Sequence, residues 1–152
     1  MATTTRSAQC SPAAVFDVLA DGWLYPSWVV GASRIRDVES SWPAVDAKIH
    51  HSFGIWPALI DDSTSVLEWD PPRRAVLKAR GWPMGSAEVV LEVAATPGGC
   101  TITIAEDAVE GPGTLVPKVV RDALIHVRNI ETLRRLTYLA EGGAAPATTT
   151  ER

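Results

Sequence analysis

Hydrophobic and polar positions along this chain change their spacing twice, near residue 30 and again near residue 113. From Val30 to Val109 apolar residues alternate with polar ones over short runs, the period of strands with one buried face. The clearest runs place Ile49, His51, Phe53 and Ile55 on one face, Val89, Leu91 and Val93 on another, and Ile102 with Ile104 on a third. Glu88, Glu92, Thr101 and Thr103 fall on the opposite, wet sides. Turn residues at Ser40 to Pro43, Trp56 and Pro57, Asp70 to Arg74, Trp82 to Gly85, and Pro97 to Gly99 cut the region into strand-length pieces. Such a succession of hairpins predicts an antiparallel sheet.

Helical signals flank this β region. Before it, Thr3 to Cys10 is compatible with a first strand, and Ser11-Pro12 starts a short helix: the hydroxyl can cap an orphan N–H, and proline is tolerated at the first helical position. Val15, Phe16 and Leu19 form its apolar face, and Asp21 with Gly22 ends it. Gly22 to Trp28, rich in aromatics, predicts a second short helix or tight turn that lays bulk on the fold. After Gly111, Pro112 and Gly113 the period becomes helical, and Thr114 to Ala140 should form a helix of about 40 Å. Its apolar stripe, Val116, Val120, Ala123, Leu124, Val127, Ile130 and Leu133, needs a surface to cover, with Arg121, Asp122, Arg128, Glu131, Arg134 and Arg135 on the exposed side. Glu141 to Gly143 ends the helix. One domain over 1–141 and a disordered tail over 142–152 are expected.

Charge and composition narrow the partners. The 152 residues carry 14 Lys plus Arg against 18 Asp plus Glu, a formal charge of -4, which leaves no cation excess for a nucleic-acid backbone. Nothing approaches the roughly 20 apolar residues of a membrane span. No signal-peptide pattern opens the chain, so a cytoplasmic location is expected. Cys10 and Cys100 lack zinc-site spacing, and the adjacent His50 and His51 point to opposite faces of a strand, so neither a metal nor a cofactor is expected.

Several segments resemble a known superfamily. Trp42-Pro43, the KIHHSFG run from Lys48 to Gly54, EWDPPRR from Glu68 to Arg74, IAEDAVEGP from Ile104 to Pro112 and RNIETLRRL from Arg128 to Leu136 are similar to a bacterial branch of the START-like superfamily. That branch is often labelled polyketide cyclase or SRPBCC, and the resemblance covers residues 3 to 141. It implies the α+β helix-grip (Bet v 1-like) fold, a seven-stranded curved antiparallel sheet wrapped around a long C-terminal helix with two short helices after the first strand. It also implies a cavity between sheet and helix for a hydrophobic small molecule such as a lipid or polyketide. The alternative is that the same side chains interdigitate and leave no void. Monomer and homodimer are both open. If the first and last strands pair as in similar proteins, Cys10 and Cys100 become neighbours, expected as reduced thiols.

Within that frame Trp28, Ile49, Phe53, Trp69, Leu77, Leu91, Ile104, Ala123 and Val127 are candidate ligand-binding residues. Trp69 is read as in phase with Leu67. Six tryptophans, Trp23, Trp28, Trp42, Trp56, Trp69 and Trp82, supply aromatic bulk beside the turns. His51 and Glu106, each in phase with an inward apolar run, are candidate catalytic residues for acid–base chemistry of the cyclase or dehydratase kind, with satisfied polar groups near the cavity rim as the alternative. His126 is expected near the sheet-facing boundary of the long helix. The Arg73-Arg74 pair reads as an exposed hairpin.

Overall fold

A computed structural model describes residues 2–55, 57–81 and 85–143, apart from the side chains of 53–55, 58, 59 and 81. Seven strands, β1 (Ala2–Ala8), β2 (Ala32–Val38), β3 (Lys48–Ile55), β4 (Ala58–Asp70), β5 (Arg74–Gly81), β6 (Gly85–Thr96) and β7 (Gly99–Glu110), form one antiparallel sheet in the order β1-β7-β6-β5-β4-β3-β2. Strands β2 to β7 are joined as successive hairpins, as the period-two runs predict, and β1 closes against β7 with Thr4 opposite Ile104 and Ala8 opposite Cys100.

Between β1 and β2 the chain forms α1 (Pro12–Ala20), a 3-10 turn (Gly22–Leu24) and α2 (Tyr25–Trp28). Ser11 caps α1 as its residue type requires, its Oγ accepting the Ala14 N–H at 3.2 Å. A second 3-10 turn (Pro112–Leu115) precedes α3 (Lys118–Gly143). The long helix thus starts four residues later than the periodicity suggests. Pro117 disfavours the helical region for the residue before it, and Val116 is accordingly extended at φ -67°, ψ 132°. At the other end the helix continues through Gly142 and Gly143.

The core occupies one end of the sheet. Val15, Phe16 and Leu19 of α1, Tyr25 and Trp28 of α2, Ile49, Val66, Ala75, Leu91, Ile102 and Ile104 of the sheet, and Leu133, Leu136 and Ala140 of α3 form one buried cluster. The last turns of α3 cover β1, α1 and α2, with Leu133, Leu136 and Ala140 fully buried. Its first turns behave differently. Val119, Val120, Leu124, Val127 and Ile130 are exposed, Val119 by 83% and Val127 by 68%, and Ala123 lies on the same outward side. This corrects the sequence expectation for most of the stripe: Val120, Ala123, Val127 and Ile130 turn away from the sheet, whereas Val116 is half-buried and Leu124 edges the space beneath the helix. The inward face here is Arg121, Ile125, Arg128 and Asn129, in phase with the buried Thr132, Leu133 and Leu136. Two ion pairs set this rotation: Arg121 binds Asp107 at 3.0 Å, and Arg128 binds Glu106. Both acids lie on β7 where the described pairing with β1 ends, at Ala2 opposite Glu106.

A second correction concerns Trp69. A β-bulge between Val66 and Glu68 shifts the register against β5, so Val66 is buried, Leu67 is exposed, and Trp69 returns to the inner face out of phase with Leu67. There its ring meets Phe16 edge-on with centroids 5.1 Å apart.

Candidate functional site

The first half of α3 stands off the sheet and leaves a groove of about 400 Å³ between the helix and the ends of β5, β6 and β7. Ala79 of β5, Ala87 of β6 and Ala108 of β7 wall it on the sheet side, and Val116, Leu124 and Ile125 wall it on the helix side. Ala87 and Ala108 are paired across β6 and β7, so two small side chains meet where larger ones would fill the space. Gly85, also in the lining, lets the start of β6 approach the end of β7 closely: its φ of +107° suits glycine, and a Cβ there would stand 1.8 Å from the Glu110 carbonyl oxygen. Walls of this kind accept apolar matter, because little polar surface has to be desolvated to fill them.

Three arginines complete the lining: Arg80 from β5, and Arg121 and Arg128 from α3. Behind Arg128 lies Glu106, 4% exposed, whose Oε2 also accepts from the Asn129 amide at 3.4 Å. Paired and hydrogen-bonded in this way, a buried carboxylate is tolerable. Arg121 and Arg128 were expected on the solvent side. They were missed as site residues because only the two acids on β7 reveal that this helix face turns inward.

At the packed end a separate polar group lies in the core. His51 Nε2 and the Tyr25 hydroxyl each lie 2.8 Å from the Thr64 hydroxyl, and the imidazole stacks on the Tyr25 ring at 5.2 Å. Trp28 packs edge-on against the same tyrosine. Burial lowers the His51 pKa to about 4, so the ring is neutral near pH 7, and burial pushes the Tyr25 hydroxyl up to about 12. The Tyr25 hydroxyl also feels the charges of Arg128 and Glu106. Neither His51 nor Glu106 is among the residues that wall the groove.

A pH dependence of stability follows from His51. An unfolded histidine binds its proton near pH 6.5, whereas the folded one resists protonation down to about 4. The contribution is therefore complete above pH 6.5 and declines as pH falls toward 4, by about 2 to 3 kcal/mol. Urea unfolding of the parent and of His51→Gln between pH 7 and 4 should show a steeper loss for the parent. Parallel curves would assign the histidine no role in this pH dependence.

The other ligand candidates fall into two groups. Ile49, Leu91, Ile104, Leu77 and Trp28 lie in the solid core with at most 4% exposure, and Trp69 packs against it, so these six support the groove's scaffold without walling the groove itself. Ala123 and Val127 face outward, carried there by the rotation that the arginine pairs impose. The Phe53 side chain, Trp56 and Trp82 lie outside the described residues. Among the other tryptophans, Trp23 is 60% exposed and Trp42 donates its indole N–H to the Leu19 carbonyl at 3.2 Å. His126 is tied to Thr4, with Nδ1 2.7 Å from the hydroxyl. Arg73 pairs with Asp70 at 2.8 Å, and Arg74 with Glu68 at 3.2 Å and with Glu92, around the exposed β4–β5 turn.

Cys10 and Cys100 are buried free thiols close enough to interact, and burial aided by Cys100 pushes Cys10 up to about 11. No group of His, Cys, Asp and Glu suited to a metal occurs among the described residues, and no helix of theirs is long and apolar enough to cross a membrane.

Protein NE0264 from Nitrosomonas europaea superposes with a TM-score of 0.72 at 17% identity, over 94% of this chain and 95% of its own. The di-domain ARO/CYC protein StfQ from the steffimycin biosynthetic pathway gives a TM-score of 0.70 at 14% identity, over 93% of this chain and 50% of its own, so this chain spans half of that protein. Ara h 8.0201 gives 0.67 at 12% identity, over 93% and 95%. At these identities the likeness establishes the fold: this is the helix-grip, Bet v 1-like arrangement. No curated protein matches the sequence. The family model described as polyketide cyclase / dehydrase and lipid transport matches residues 1–137, and on that match the chain belongs to this family.

Proposed function

We propose that this chain binds a hydrophobic or amphipathic small molecule, lipid-like or polyketide-like, in the groove between the first half of α3 and the ends of β5 to β7. The observation that carries the reading is the contrast along one helix. Its last turns are packed solid on the sheet and short helices, while its first turns leave about 400 Å³ open between apolar walls. Burying roughly 300 Å² of an apolar ligand there would contribute about 7 kcal/mol before association costs. The family description, which joins cyclase or dehydrase chemistry to lipid transport, agrees with such a ligand class.

Binding has more support than acid–base catalysis. A general base works best with a pKa near the operating pH, and His51 at about 4 is far below it and lies in the packed end. Titration with the neutral fluorophore N-phenyl-1-naphthylamine, followed by native mass spectrometry with decanol, tests the reading. One saturable site with 1:1 stoichiometry is expected, and the absence of saturable binding by both probes would refute it.

A further inference from the structure

Three arginines and no acid are among the residues that line the groove. Asp107 and Glu106 pair with Arg121 and Arg128, and neither acid is itself among the residues that line the groove. Both pairs also leave donors unspent. Arg121 uses Nη2 for Asp107 and Nη1 for the Thr114 carbonyl, and Arg128 uses Nη2 for Glu106 and for the Asn129 side chain. The Nε–H of each arginine is buried without an acceptor among the described residues. Buried donors without acceptors are uncommon and favour any acceptor brought within reach. Arg80, on the opposite wall, has no ion-pair partner among the described residues. Glu110, which feels its charge, is already bonded to Lys78 at 3.0 Å and to the Ser86 hydroxyl at 2.8 Å.

From these observations, and resting on the binding reading above, we propose that the groove selects an amphipathic anion: an apolar body lying between the alanine wall and Leu124 with Ile125, and a carboxylate or similar oxyanion head held by Arg80, Arg121 and Arg128. A planar fork of N–H donors fits a two-oxygen head, and apolar walls around it strengthen each charge-assisted bond. A cationic head of the same size would meet three like charges. A neutral hydroxyl would satisfy one donor and none of the charge.

A head-group series with a common ten-carbon tail tests this. Decanoate, decanol and decyltrimethylammonium are titrated into the full chain at pH 8 and low salt by displacement of N-phenyl-1-naphthylamine. Decanoate should bind at least tenfold more tightly than decanol, and the ammonium compound most weakly. Arg80→Ala, on an exposed side chain, should weaken decanoate severalfold more than it weakens decanol. If decanol matches decanoate, or if Arg80→Ala weakens both alike, the anionic selection is wrong while the apolar groove stands. If none of the three displaces the probe, the binding reading fails, and the selection with it.

Discussion

Ala108→Trp is expected to lower the affinity of the groove for N-phenyl-1-naphthylamine at least 100-fold while the chain stays folded. Ala108 faces the open space and pairs with Ala87 across the two strands that form the groove's wall. An indole placed there enters existing space, so the strain that follows when a packed core is overfilled is largely avoided. A ligand that gains about 7 kcal/mol from burial loses 100-fold in affinity once about 3 kcal/mol of that burial is denied. Fluorescence titration of the variant, with a thermal melt to show that it is folded, gives the answer. Unchanged affinity in a folded variant would place the bound probe elsewhere on the protein.

The second large effect concerns stability and separates the two halves of α3. Leu136 is fully buried in the cluster formed with α1, α2 and the sheet, and Leu136→Ala should cost about 2 to 5 kcal/mol. Val127, nine positions earlier on the same helix, is 68% exposed, and Val127→Ala should cost less than about 0.5 kcal/mol. Urea unfolding of both variants measures the difference. Comparable losses would mean that the first turns of α3 are docked as firmly as the last, and the groove would then have no room to exist.

The same contrast explains which features were legible in the sequence. Strands and hairpins were readable because a buried face repeats every second residue, and Ile49, Leu91, Ile102 and Ile104 all occupy the inner side as expected. Ser11 was readable because capping is a local matter. The phase of α3 was not. An apolar stripe from Val116 to Ile130 normally marks the covered face, but here Arg121 and Arg128 take that face through Asp107 and Glu106, and Val120, Ala123, Val127 and Ile130 are left outward while Leu124 edges the groove. Helical periodicity contains no information about acids on a strand that ends several residues earlier. Arg121 and Arg128 do stand seven residues apart on one face, a spacing visible in the text but ambiguous without its partner. Trp69 went out of phase for a related reason, since a single-residue bulge inverts every position beyond it.

The candidate site shows a parallel division. Glu106 faces inward, as its phase with Ile102 and Ile104 predicts, yet its pairing with Arg128 depends on a helix that only the tertiary fold supplies. His51 likewise faces inward, but its bonding to Thr64 and its stacking on Tyr25 join segments 13 and 26 residues away in sequence. Arg80 gave no signal at all. Its significance comes from the groove, which exists because Ala79, Ala87 and Ala108 on three strands are small where they face the helix.

The most direct measurement is an isotope-filtered NMR experiment on the methyl-labelled chain with bound decanol. Intermolecular contacts are expected from the ligand chain to the methyl groups of Ala79, Ala87, Ala108, Leu124 and Ile125, with none to the packed Leu133 and Leu136. Contacts confined to the outward Val119 and Val127, or no contacts to the alanine wall at saturating ligand, would contradict a binding groove beneath the first half of α3.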